Sequence, residues 1–225
     1  MSSVPAPRSR VFLLSPANCG GERAKLVFRP EARFELAMKL RTPQGAPIGD
    51  VFSFLSGLYF RGKLAYARHF ARRFEDRHAH FVITTNRGLL PVDHHLTLAD
   101  LRKMGCVPID AEDRRYRRPL VRAVKELLCT NDECDVVLLG SVASGKYVDV
   151  LLDVVGERLL FPTEFVGRGD MSRGALLLRA ARTDAELIYA SVAGAVRRGP
   201  RAGKVGAGDG DEGTTRQSRN SRPGR

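Results

Sequence analysis

Asp135-Val-Val-Leu-Leu-Gly-Ser-Val-Ala-Ser-Gly-Lys-Tyr147 is the stretch that decides the fold class. Its first five residues form a short, nearly continuous apolar run that stops at Gly140, the pattern of a strand buried on both faces. A loop of glycine, serine and alanine follows, and a helical pattern opens behind it. Strand, glycine-bearing loop and helix in succession form the repeating unit of parallel α/β sheets, whose strands run one way and need crossover helices.

Working outward, Arg10-Val-Phe-Leu-Leu14, His80-Phe-Val-Ile-Thr84 and Arg158-Leu-Leu-Phe161 read as further buried strands. With the first, four runs each stop at a loop of Gly, Ser, Pro or ionic residues. These loops are Ser15-Pro-Ala-Asn-Cys-Gly-Gly21, Thr84-Thr-Asn-Arg-Gly88, Gly140-Ser-Val-Ala-Ser-Gly-Lys146 and Glu164-Phe-Val-Gly-Arg-Gly-Asp-Met-Ser-Arg-Gly174. In open α/β sheets the carboxyl ends of the strands meet at one edge, where ligands bind, so the four loops predict one shared pocket. The expected architecture is α/β: a single domain, a mainly parallel or mixed sheet flanked by helices, and a ligand cleft at the carboxyl ends of the strands.

The helical patterns are amphipathic. Pro30 suits a first helical position, with Phe34, Leu36, Ala37 and Leu40 recurring until the Thr42-Pro-Gln-Gly45 turn. From Leu58 to Phe74 a helix places Tyr59, Leu64, Ala67, Phe70 and Phe74 on one side and Arg61, Arg68 and Arg72 on the other. After Asp110, Leu120, Val124, Leu127 and Leu128 oppose Arg114, Arg118, Arg122 and Lys125. Pro119 marks a helix start or kink within that segment. Glu22 to Phe28 fits helix or strand, and Ala175–Arg179 and Glu186–Tyr189 fit edge strands or a closing helix.

At 225 residues and 43% hydrophobic, the chain has enough material for one ordinary domain with its own core. The division expected is a flexible leader over 1–9, the α/β domain over 10–195, and a disordered basic Gly/Arg/Ser-rich tail over 196–225. Residues 197 to 225 hold eight Lys/Arg against three Asp/Glu, so the tail carries +5 of the formal +12 and the body +7. No apolar run approaches the roughly 18 residues of a membrane span, and the first ten residues lack the apolar segment of a signal peptide, which points to the cytoplasm and away from membranes. Cys19, Cys106, Cys129 and Cys134 are scattered without metal-ligand spacing, and His94-His95 has no third ligand near it, so neither metal nor other cofactor is called for. Cys19 is either structural or, beside a helix N-terminus, a reactive thiol.

Gly140 to Lys146 fits the phosphate-binding pattern G-x-x-x-x-G-K. Position 147 is Tyr, however, where nucleotide hydrolases need a Ser or Thr hydroxyl on magnesium. Leu151-Leu-Asp153 falls in the next helix, and too little chain follows Lys146 to complete such a sheet. A looser anion site made by the Gly140, Ser141 and Ser144 amides at a helix N-terminus remains open, as does an ATP- or GTP-binding role.

In order along the chain, Leu14-Ser-Pro-Ala17, Gly57-Leu-Tyr59 with Gly62-Lys63, Gly88-Leu-Leu-Pro-Val-Asp93, Ala143-Ser-Gly-Lys-Tyr147 and Gly167-Arg-Gly-Asp-Met-Ser-Arg173 resemble motifs of the bacterial peroxide-stress (YaaA-like) family. The resemblance spans Leu14 to Arg173 and makes Tyr147 the expected residue of its loop. That family's Tyr-Arg-x-Glu-Met stretch is replaced here by Leu96-Thr-Leu-Ala-Asp-Leu101. The resemblance implies nucleic-acid binding in a basic cleft and a role in stress or DNA-damage response.

These readings yield a set of ligand residues: Ser15, Asn18, Arg87, Ser144, Tyr147, Arg168, Asp170, Ser172 and Arg173. Each has a plainer alternative, such as a cap or turn at Ser15 and Asn18, a solvated turn at Arg87, and an Arg–Asp network tying down the loop around Asp170. Arg61, Lys63, Arg68, Arg72, Arg114, Arg118 and Arg122 would meet a nucleic-acid backbone, or else form solvated helix faces. The function expected is binding of nucleic acid or a nucleotide-like anion. The alternative is an enzyme acting on a nucleoside or nucleotide, of glycosidase or transferase type, with Asp170 and Tyr147 as its candidate catalytic groups.

Overall fold

Val11 and Leu13 project to one side of the first strand and Phe12 and Leu14 to the other, and all four are fully buried. A strand covered on both faces needs a layer of helices on each, and the computed structural model has that arrangement. The structure describes residues 9–71, 79–130, 134–143 and 145–197. Arg72, Phe74 and Ser144, the first eight residues and the tail from 198 onward lie outside the described residues.

The strands are β1 (Arg10–Leu14), β2 (Ala46–Pro47), β3 (His80–Ile83), β4 (Leu89–Pro91), β5 (His95–Leu96), β6 (Asp135–Leu139), β7 (Leu159–Pro162) and β8 (Tyr189–Ser191). The helices are α1 (Glu22–Phe28), α2 (Glu35–Arg41), α3 (Ile48–Ser56), α4 (Leu58–Phe70), α5 (Leu98–Gly105), α6 (Arg114–Thr130), α7 (Gly145–Val155) and α8 (Asp170–Thr183). Six strands form the main sheet in the order β4-β3-β1-β6-β7-β8, and β2 pairs with β5 in a small separate ribbon. The inner four strands are parallel, while β4 and β8 close the two edges antiparallel.

From β1 the chain passes to β3 on one side and later returns to place β6 on the other. The crevice beside β1 is therefore a topological switch point, where neighbouring loops leave the sheet in opposite directions and open a space above the strand ends. Under one face Phe12, Leu14, Val82, Val137 and Leu139 pack with α1 to α5 and α8. On the other, Val11, Leu13, Val136 and Leu138 pack with Tyr116, Leu120 and Val124 of α6 and Val148 and Leu151 of α7.

Several local expectations change. Pro30 precedes the helix it was expected to start, which begins at Glu35, so Pro30 to Phe34 form a connector. The segment Ala175–Arg179 belongs to α8, and the edge strand beyond it is Tyr189–Ser191. α6 runs continuously through Pro119. α5 begins with a reciprocal cap, in which Thr97 accepts from the Asp100 amide and Asp100 accepts from the Thr97 amide. None of the described helices is long and apolar enough to cross a membrane.

Candidate functional site

All four strand-end loops reach one cavity of about 690 Å³ above the switch point. The loop after β1 contributes Ser15 and Asn18, that after β3 contributes Thr85, and β6 with the start of α7 contributes Ser141, Lys146 and Tyr147. The fourth loop contributes Asp170, the first residue of α8. Lys63, expected among the cations, lines the cavity from α4 together with Tyr59, which was not among the expected ligand residues, and a further wall that was not foreseen comes from Met104, Val107 and Ile109 at the end of α5 and the turn beyond it. One side of the cavity is thus polar and the other apolar, the usual make-up of a small-molecule site.

Lys63 forms the floor. Its residue is 1% exposed, and its Nζ donates to the Ser15 carbonyl oxygen at 2.6 Å and meets Ser15 Oγ at 2.9 Å. The rings of Tyr59 and Phe60 lie 4.3 and 4.9 Å from the ammonium position. Burial, opposed by Asp170 and aided by Arg173, brings its pKa down to about 7. Expected with Arg61 as a phosphate-neutralising cation, Lys63 is enclosed because it falls four residues from both Tyr59 and Ala67, on the apolar side of α4.

The α8 loop is organised by its arginine. Arg173 is buried and donates from Nε and Nη2 to the Phe165 carbonyl oxygen at 3.2 and 3.1 Å, with Asp170 at 3.4 Å from Nη1. Arg168 donates to Ser172 Oγ at 3.1 Å. Arg168, Ser172 and Arg173 do not line the cavity, and Asp170 is the member of that loop that does. Tyr59 Oη has no well-formed hydrogen bond although the Arg173 guanidinium faces it, and burial pushes its phenol strongly up. Tyr147, half-buried near Asp170, is raised to about 12 by burial and by that carboxylate.

The start of α7 is tied down from behind. Tyr116 Oη donates to the Lys146 carbonyl oxygen at 3.0 Å, leaving the exposed Lys146 side chain at the cavity rim. Asp153 sits on α7 and pairs with Arg117 at 2.7 Å. Cys19 is enclosed, its Sγ 3.6 Å from the Ala17 carbonyl oxygen, and burial raises its thiol to about 12, the opposite of an activated cysteine.

The remaining basic residues are elsewhere. Arg61 and Arg68 are exposed on α4 and Arg114 on α6, and none of them lines the cavity. Arg87, which pairs with Asp100 at 3.5 Å, joins Arg118 and Arg122 around a separate shallow depression. His95 Nδ1 is 3.0 Å from the Gln44 carbonyl oxygen. Compared with protein-family models, with curated proteins and with solved structures, the chain matches none.

Proposed function

We propose that the switch-point cavity binds a nucleotide-like anion of roughly mononucleotide size. The observation that carries this reading is the meeting of four strand-end loops around one cavity with a polar side and an apolar side. The anionic group would lie against Lys146 and the first turn of α7, where backbone N–H groups and the helix dipole favour negative charge. Asn18, Tyr147 and Asp170 would meet sugar or base edges, and Met104, Val107 and Ile109 would cover an apolar face. The volume suits a small ligand, as cavities for such ligands span roughly 300–1,000 Å³. The order of the motifs that resemble the peroxide-stress family supports it, and the four free cysteines suit the cytoplasmic location we propose.

Calorimetry of the full chain with AMP, GMP, CMP, UMP and inorganic phosphate tests the reading. Binding of at least one nucleotide more tightly than phosphate, weakened about tenfold or more by Lys146→Glu, is the expected result. Silence across the panel overturns it. A second reading is favoured by Asp170, whose side chain is 69% exposed and borders the cavity near Tyr147. In that reading the carboxylate assists cleavage or transfer at the glycosidic bond. Turnover of the bound nucleotide, lost in Asp170→Asn, separates catalysis from binding alone.

A further inference from the structure

Ser15 Oγ and Lys63 Nζ face each other at 2.9 Å on the cavity floor, within the reach of a nucleophile and its base. Three features make this more than a structural hydrogen bond. First, the amine is fixed from a second direction by the Ser15 carbonyl oxygen, so its position relative to the hydroxyl is set. Second, the carboxylate whose field reaches Lys63, Asp170, forms its ion pair with Arg173 instead. A lysine without such a partner, against two aromatic rings, is able to shed its proton near neutrality, and its lowered pKa agrees. Third, a β-carbon at Gly140 would lie 2.9 Å from Ser15 Cβ and 3.2 Å from Oγ, so the glycine keeps open the space beside the hydroxyl.

We propose that Ser15 and Lys63 form a nucleophile–base dyad for acyl transfer, acting on a carboxylic ester or amide small enough to enter the cavity. In the resting state the neutral amine accepts a hydrogen bond from the Ser15 hydroxyl. As Ser15 Oγ bonds to the acyl carbon, the hydroxyl proton passes to Lys63 Nζ. When the tetrahedral intermediate collapses, the bond to the alkoxide or amine breaks and the leaving group takes the proton from Lys63. Water then attacks the acyl-serine, giving one proton to Lys63, which returns it to Ser15 Oγ as the carboxylic acid departs. Oγ and Nζ are the reacting atoms, which makes both residues catalytic. The proposal does not depend on the nucleotide reading, because it requires only this pair and access to it.

An alkyl fluorophosphonate offered to the folded full-length protein provides the test. Reaction forms a bond from Oγ to phosphorus, breaks the phosphorus–fluorine bond, and transfers the hydroxyl proton to Lys63. The expected result is one adduct, mapped by peptide mass spectrometry to Ser15, at a rate that rises as pH passes through about 7. Ser15→Ala should abolish it and Lys63→Met should slow it by about a hundredfold, in the range of a lost general base. The wild-type pH profile needs no variant to fold. No adduct on Ser15, an adduct equally formed by heat-denatured protein, or a rate flat between about pH 6 and 9 overturns the proposal. Nucleotide binding measured in the same preparation stands or falls separately.

Discussion

Lys63, the base of the proposed dyad, also ties the stability of the fold to pH. Burial depresses its folded-state pKa from 10.5 to about 7. Between those values the unfolded chain holds a proton that the folded chain lacks, so this group makes stability rise with pH over that window. Below pH 7 the cost of the buried charge is full and constant. Above about pH 8.5 the raised Cys19 thiol and, higher still, the raised tyrosines act in the opposite sense. The unfolding free energy from urea titration should therefore increase between about pH 7 and 8.5, by up to roughly 2 kcal/mol at about 1.4 kcal/mol per unit. Lys63→Met should flatten that slope, and an unchanged slope in the variant would remove Lys63 as its source. The placement was partly legible, since Lys63 shares a helical side with Tyr59 and Ala67. Its contact with Ser15 joins residues 48 apart and carries no local sequence signal.

Among the elements, the pair α4 and α8 determines whether the cavity has a floor. A β-carbon at Gly62 would lie 2.6 Å from the Gly174 carbonyl oxygen, and one at Gly174 would lie 2.9 Å from the Leu58 carbonyl oxygen and from Tyr59 Cα. Both neighbours are backbone, so relief requires the two helices to separate. Such separation would draw Asp170 and Arg173 away from Tyr59 and Lys63. Gly62→Ala or Gly174→Ala should cost about 2 kcal/mol or more by thermal or urea unfolding, the middle of the roughly 1–3 kcal/mol range of overpacking or beyond it. Alanine is a better helix former than glycine by up to about 1 kcal/mol, so a stabilised variant would contradict the packing account directly. The sequence signalled these glycines, Gly62 in the Gly62-Lys63 motif and Gly174 at the end of the fourth strand-end loop, but not that they touch each other. It likewise left Ala175–Arg179 open, because a run of three leucines satisfies a strand and a helix face alike. The parallel strands and their loops were legible because a strand buried on both faces leaves an uninterrupted apolar run. The short strands β2, β4 and β5 leave none: β2 and β5 are pinned to each other across about fifty residues, and β4 is only the three-residue return of a hairpin from β3.

At the scale of the whole molecule, charge and cavity are separated. The cavity lining carries Lys63 and Lys146 against Asp170, whereas Arg61, Arg68, Arg114, Arg118 and Arg122 lie on the exposed sides of α4 and α6. A small ligand in the cavity and a polyanion on the surface would consequently obey different salt laws. A mononucleotide meets few cations, so its affinity should change only modestly with ionic strength. DNA or RNA bound across Arg87, Arg118 and Arg122 would release counterions, and its affinity should fall steeply along a line of log K against log salt. Each arginine neutralised, as in Arg118→Gln and Arg122→Gln, should reduce that slope by about 1. Truncation after Ala195, which removes +5 of charge, should reduce it further. Neither change should weaken mononucleotide binding by more than about twofold, because Arg118 and Arg122 lie outside the cavity lining and the proposed site uses no residue of the tail. Fluorescence anisotropy with a labelled oligonucleotide, beside calorimetry with the mononucleotide, reads the two behaviours in one protein. Loss of mononucleotide binding in the α6 variants would move the ligand out of the cavity and onto the basic helix face.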